Sequence, residues 1–344
     1  MIGALMDYGA LTAKVRALYG KRLRLADYER MAAARSEEEL SELLRLHPAW
    51  SASAGALSGG VYIGRLELEQ ALWRQFRLDY EKLSHFIPRQ DRALMAFPTL
   101  LQEQRVLLSV LRRLRSGRFS PLPPAILHSS LDMNRLAACT DFDGLCAAAQ
   151  GTIYAPALRR LRPGPAEGLP DYTAAETLLR SVYFSHMYQV IHREYAGETR
   201  SVLLRSYGEE IDRLNLLHIL RLKTYFPGQQ DFLPVLFPFN YRLRPELIRS
   251  LCRAPDAAGV RELLRTTPYA PLLAAESLSE LEDLCRREFC LFNRRQLTAG
   301  PASICTAVAY LNLKEMELHA LIGLIESVKY GVPCDLTLPR LLGG

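Results

Sequence analysis

The sequence repeats its own pattern about three times, with a period of roughly 105 to 115 residues. One block reads EEELSELLRLHPAW at Glu37 to Trp50, FDGLCAAAQGTIYAPAL at Phe142 to Leu158, and AAGVRELLRTTPYAPLL at Ala257 to Leu273. Each copy is an amphipathic helical pattern running into a turn marked by Pro, an aromatic residue or both. The block before it reads YGKRLRLADYERMAAA at Tyr19 to Ala34, ILHSSLDMNRLAAC at Ile126 to Cys139, and NYRLRPELIRSLCRA at Asn240 to Ala254. After the turn come longer patterns starting at Leu68, Ala174 and Leu278, and each period closes on another, starting at Gln102, Glu209 and Lys314. The order of blocks is preserved. Three similar units follow, at 1–118, 119–227 and 228–344. Such units either stack as an open solenoid or close around an axis, and spacing alone does not choose between the two.

The units read as helical. Apolar residues recur at three- and four-residue spacing through most of the chain, while Pro and Gly gather between such segments. Leu101, Leu107, Leu108, Leu111 and Leu114 fall on one side of a helix that Ser116 and Gly117 can end. Strand-like alternation is scarce, so the expected fold class is all-α. Loops are expected at 51–60, 121–124, 162–170, 227–230 and 300–301. The aromatic series Trp73, Phe76 and Tyr80 recurs at helical spacing and reads as a core stripe.

Two closing segments are apolar on nearly every side: Ile211, Leu214, Leu216, Leu217, Ile219 and Leu220 in one, Met316, Leu318, Leu321, Ile322, Leu324 and Ile325 in the other. Helices of this kind belong inside a bundle. Aligning the three closing segments puts acids at Glu103, Asp212 and Glu317, with Arg112, Arg221 and, breaking the pattern, Glu326 nine residues later. An unpaired buried charge is costly, so these acids are expected to be structural. Each is expected at the start of its helix, held by the positive end of the dipole and by an Arg from a neighbouring unit.

The residues give no case for chemistry. There is no G-x-x-x-x-G-K-[ST] and no G-x-G-x-x-G, so no nucleotide is expected on a Gly-rich loop. The seven histidines show neither H-E-x-x-H nor Cys/His zinc spacing, and G-x-S-x-G is missing. No catalytic residue, no cofactor and no metal site is assigned. The net charge of +6 comes from 37 Arg and six Lys interspersed with acids, without the basic runs that nucleic-acid binding needs, so no nucleic-acid partner is expected. Seven irregularly spaced cysteines without C-x-x-C, in a sequence that opens without a basic leader, read as reduced thiols of a cytoplasmic protein. No stretch reaches the roughly 18 apolar residues that span a bilayer. Any membrane connection is expected to run through another protein.

The segments YGALTAKVRALYGKRL at the start, LLRTTPYAPLL in the third unit, EEIDRLNLLHILRLKTYF closing the second and YLNLKEMELHALIGLIESVKYG at the end resemble the C-subunit family of V/A-type ATPases, to which the eukaryotic V-ATPase d subunit belongs. Asp212-x-x-Asn215 with Arg221 and Lys223 is similar to the family's second closing helix, and Glu315 with Glu317 to its last. Ala320 stands where an Asn is expected, and Glu326 where a basic residue is common. The resemblance implies a three-unit helical funnel with pseudo-threefold symmetry on the cytoplasmic face of the proteolipid (c/K) ring. The D and F shaft subunits would sit in its cavity, and the chain itself would be a non-catalytic rotor part of a proton- or sodium-translocating ATPase or ATP synthase. On the residues alone two other classes stay open: a free-standing helical-repeat adaptor, although such repeats run only to roughly 34 to 47 residues, and an all-helical small-molecule enzyme.

Overall fold

The computed structural model describes residues 2–55, 64–118, 129–162, 168–226, 233, 236–237 and 239–344. Among the described residues every regular element is a helix. The chain opens on α1 (Ile2–Gly20), the short pair α2 (Leu25–Ala32) and α3 (Glu37–Leu46), the single turn α4 (Ser51–Ala54) and the long α5 (Arg65–Ser84). After α6 (Arg92–Met95) come α7 (Phe97–Ser116), a second short pair, α8 (Met133–Ala138) and α9 (Phe142–Ala148), then α10 (Ala155–Arg160) and the long α11 (Tyr172–Glu194). A third pass runs α12 (Gly197–Tyr225), the pair α13 (Pro245–Arg253) and α14 (Ala257–Leu264), a 3-10 turn at Ala270–Ala274, and α15 (Leu278–Thr298). The chain finishes on α16 (Ile304–Tyr330) and α17 (Thr337–Gly343). Short pair, turn and long helix thus recur in the order in which the sequence blocks recur.

The starts and stops have local chemical causes. Side-chain oxygens of Ser36, Asp132, Asp141, Asp171 and Asp256 accept backbone N–H bonds in the first turns of α3, α8, α9, α11 and α14, satisfying donors that a helix start leaves unpaired. Pro98, Pro156 and Pro245 stand in first turns, where the missing N–H costs nothing. Gly117 and Gly331 end α7 and α16 in the left-handed region, at φ 63° and 62°. The expected loop at 300–301 separates α15 from α16, whereas the one expected at 51–60 begins as α4, because Trp50 and Ser51 continue the turn with i to i+4 bonds. The loops expected at 121–124 and 227–230 lie outside the described residues.

These elements form two compact units, one of Met1–Arg92 with Asp283–Gly344 and one of Ala93–Glu282. In the first, α16 packs on α1, α2, α3, α5 and α17, and nearly every residue from Ile304 to Leu313 is buried along with Leu318, Leu321, Leu324 and Ile325. In the second, α7 packs on α11 and α9, and α12 on α11 and α14. Its core includes edge-to-face contacts of Phe97 with Tyr183 and Tyr207 and of Phe184 with Tyr183 and Phe237. Both helices that read as apolar on every side, α12 and α16, are central to their units.

Two glycines permit close approaches. A Cβ on Gly343 would lie 2.4 Å from the Leu25 amide nitrogen, where α17 meets the start of α2, and a Cβ on Gly208 of α12 would lie 2.7 Å from the Tyr241 side chain. Gly9 in α1 faces open space. Gly343→Ala and Gly208→Ala are therefore expected to lower the unfolding temperature, each at a cost of roughly 1 to 3 kcal/mol from forced displacement. Gly9→Ala is expected to be neutral or stabilising by up to about 1 kcal/mol through helix propensity. Thermal melts of the three variants check this ordering.

Candidate functional site

The three acids aligned in the sequence are buried: Glu103 in α7, Asp212 in α12 and Glu317 in α16. None sits at a helix start. The closing helices begin upstream of the quoted blocks, at Phe97, Gly197 and Ile304, so each acid lies beyond the first turn and outside the reach of the dipole's positive end. The expected Arg partners are not what holds them either. Each carboxylate instead reaches a non-helical strap that leads into a short helix pair, and takes up backbone N–H groups that the strap cannot pair with itself.

Asp212 makes the fullest set of bonds. Its Oδ1 accepts from the Tyr241 amide at 2.9 Å, and its Oδ2 accepts from the amides of Arg242 and Leu243 at 2.7 and 3.0 Å and from the Tyr269 hydroxyl at 2.6 Å. Burial, and then the Asp212 charge beside it, push the Tyr269 phenol well above its usual range, so it stays a donor. One turn on, Asn215 Oδ1 accepts from the Phe237 amide at 2.9 Å and its Nδ2 donates to the carbonyls of Phe237 and Phe239 at 3.2 and 3.3 Å. One turn back, Glu209 pairs with Arg205, Arg213 and the strap's own Arg242. The Asp212-x-x-Asn215 spacing thus presents two acceptors from one helix face, to the Phe237 amide and to the strap Tyr241–Leu243.

Glu317 does the same for the start of the chain. Its Oε2 accepts from the Leu23 amide at 3.1 Å, and its Oε1 accepts from Trp50 Nε1 and from Lys314 Nζ, both at 2.9 Å. The Lys314 ammonium stands 3.5 Å from the centre of the Trp50 ring, a cation–π contact inside the unit. Glu103 holds least: its Oε1 accepts from the Ser129 hydroxyl at 2.8 Å and the Ser130 amide at 2.9 Å. Burial raises the Glu103 carboxyl above its ordinary range in spite of these two donors. The aromatic residue of its turn, Tyr154, donates to the Leu100 carbonyl one turn before the acid.

The aromatic residues Trp50, Tyr154 and Tyr269 are the part of the site that sequence reading missed. They occupy matching places in the turn after the second short helix. Thr152 and Thr267 fix two of these turns, each hydroxyl accepting the amide of the aromatic two residues on, at 3.2 Å, and donating to a carbonyl of the preceding helix end. In the first turn, the Ala49 amide donates to His47 Nδ1. The signal was present in the repeat itself, since an acid and an aromatic recur in each copy, but where they touch, at Asp212 with Tyr269 and Glu317 with Trp50, the two come from different repeats.

The other sequence candidates fall into two groups. Arg112 donates to the Tyr172 hydroxyl at 2.6 Å and stacks on its ring, Arg221 pairs with Glu282, and Glu326 pairs with Arg65 at 2.7 Å. In each case the partner stands near the start of the following or returning long helix, α11, α15 or α5. Glu326 breaks the basic pattern because its partner is basic. Lys223 is buried within α12, Glu315 is half-buried in α16, and Ala320 is buried at the position matching Asn215. Among the described residues no group of His, Cys, Asp or Glu is arranged to hold a metal ion.

Isosteric amides separate the three acids. In Asp212→Asn one carboxylate oxygen becomes an NH2 facing either Tyr241 N–H or three donors. A loss of roughly 2 to 5 kcal/mol is expected. Glu317→Gln is expected to fail likewise, its amide facing Leu23 N–H or the Trp50 and Lys314 donors. Glu103→Gln keeps one acceptor for both of its donors and removes a buried charge, so it is expected to be near neutral. Because the Glu103 pKa is raised in the fold, ionisation weakens wild-type stability as pH rises from the ordinary carboxylate range through the folded pKa. Denaturant melts from pH 4 to 7 should therefore show Glu103→Gln gaining on the wild type with rising pH.

With this geometry in place, comparison with known proteins is direct. The model of the ATP synthase (C/AC39) subunit family matches residues 11–338, a span that includes all three acids and their straps. The C subunit of an A-type ATP synthase from Methanothermobacter thermautotrophicus is 23% identical over 342 residues, covering 92% of this chain and 83% of that protein. Proteins of the same description from Pyrococcus abyssi and Methanobrevibacter smithii are 27% and 25% identical, over 53% and 44% of this chain and 50% and 38% of their own lengths. The chain belongs to the ATP synthase (C/AC39) subunit family.

Proposed function

We propose that this chain is a non-catalytic subunit of an A-type ATP synthase, acting in the central stalk as a socket that joins the D and F shaft subunits to the membrane proteolipid ring. The observation that carries the reading is the family match across residues 11–338. In this reading the three units at 1–118, 119–227 and 228–344 close with pseudo-threefold symmetry into a funnel. The acid of each unit then clasps the strap of the next. What supports closure is Glu317: it stands on the last long helix and binds Leu23 and Trp50 near the start of the chain, so the series of clasps returns to its beginning.

A coupler transmits torque without deforming, which calls for packed helices and buried, fully bonded joints. The Asp212 and Glu317 sites have that character, and their acids are spent on structural donors. Among the described residues no helix is long and apolar enough to cross a membrane, and we place the chain on the cytoplasmic face, attached through the ring. Co-expression with the D and F subunits of the same source is expected to give a stable complex on size exclusion, and addition of the detergent-solubilised proteolipid ring a larger one. Failure to bind either part, with both partners folded, overturns the proposal.

A further inference from the structure

Beside the Glu317 clasp lies a small open pocket whose walls include Leu18, Tyr19, Arg22, Arg294, Lys314 and Glu317. Three cations face one carboxylate. Glu317 is already occupied by the Leu23 amide, Trp50 and Lys314, so the two guanidiniums add positive charge that it does not answer. Arg294 is anchored by the carbonyls of Leu341 and Gly344, at 3.1 and 2.6 Å. Arg22 is different. Its guanidinium is laid on the Tyr19 ring at 4.3 Å, which fixes its orientation, yet its Nε–H is buried and bonds to nothing among the described residues. Its terminal N–H groups likewise make no hydrogen bond among the described residues, so the guanidinium that lines the pocket is available to a ligand of the right sign. Burial is the main cause that pulls the Arg22 pKa below its ordinary value, and the charges of Arg24 and Arg294 act in the same direction.

We propose that this pocket binds a small oxyanion, a carboxylate or a phosphate-like group, with Arg22 as its principal ligand through its terminal N–H groups and with Arg294 and Lys314 supplying the field. Guanidinium geometry suits such groups, since its N–H fork matches two oxygens. The site lies within one compact unit and does not depend on the rotary role, so it is tested on the isolated chain of 344 residues.

The test titrates sulfate, phosphate and acetate against the chain at constant ionic strength set with chloride, reading unfolding temperature and tryptophan fluorescence. Saturable stabilisation by at least one oxyanion is expected; saturation by phosphate and sulfate alone assigns a tetrahedral ligand, and saturation by acetate assigns a carboxylate. Arg22→Met, which keeps the stem on Tyr19, is expected to weaken binding by roughly tenfold or more, the loss of one charged hydrogen bond. Arg74→Met, on the exposed side of α5, is expected to leave binding unchanged. Should Arg22→Met not fold, Arg22→Lys serves: it retains the charge without the planar N–H fork and is also expected to bind more weakly. A response to oxyanions that does not saturate, or that is the same in the Arg22 variants as in the wild type, overturns the proposal.

Discussion

A carboxylate buried in a helical bundle and a strap of backbone that has left its helix present opposite deficits. The first has lone pairs and no donors; the second has amide protons and no acceptors, because no strand lies alongside to pair them. Asp212 and the segment Tyr241–Leu243 cancel both deficits at once, with three consecutive amides on one side chain. The stability of α12, of the strap and of the pair α13 and α14 that the strap introduces is thereby tied to a single acceptor. A carboxylate suits this place better than an amide or hydroxyl would, because it accepts up to four bonds and offers no competing donor. Gly208, one turn earlier, leaves room for Tyr241 to lie against the helix so that its amide can reach the acid.

The three clasps share this logic and differ in how far it is completed. Asp212 has three amides and a phenol, Glu317 one amide, an indole and an ammonium, and Glu103 one amide and one hydroxyl. Where a cation is present, in the Glu317 clasp, it also covers the aromatic residue of the turn, so Lys314 links acid and indole at one point. Where the aromatic donor turns elsewhere, as Tyr154 does toward Leu100, the acid keeps fewer donors, and burial raises the Glu103 carboxyl above its ordinary range. The repeats are thus equivalent in plan and unequal in electrostatics.

Much of this was legible in the sequence, and the part that was not has a physical explanation. Helicity, block order and the burial of α12 and α16 follow from apolar spacing, and the acids stood out because they recur. Their placement was misread because the quoted closing blocks begin where the repeats are similar, whereas the helices run upstream through stretches such as Ile304–Leu313 that are helical for reasons of burial. Their partners were out of reach because backbone amides carry no residue identity. Glu317 finds its amide at Leu23, a separation of 294 residues, and no periodicity within one unit can reveal a bond of that length.

The contacts around the clasps show which features of the plan are fixed by chemistry and which are free. Arg221 with Glu282 and Arg65 with Glu326 put opposite polarities on the same kind of contact, between a closing helix and the first turns of a long one. Side-chain pairs can be inverted in this way because both members are encoded and exchange together. The acid of a clasp cannot be inverted: its partners are amide protons, which every non-proline residue carries, so only an acceptor will serve. The clasps are therefore the rigid element of the design and the flanking pairs the adjustable one. Because the last of them joins residues nearly a chain length apart, the first unit reaches its final form only once α16 is in place.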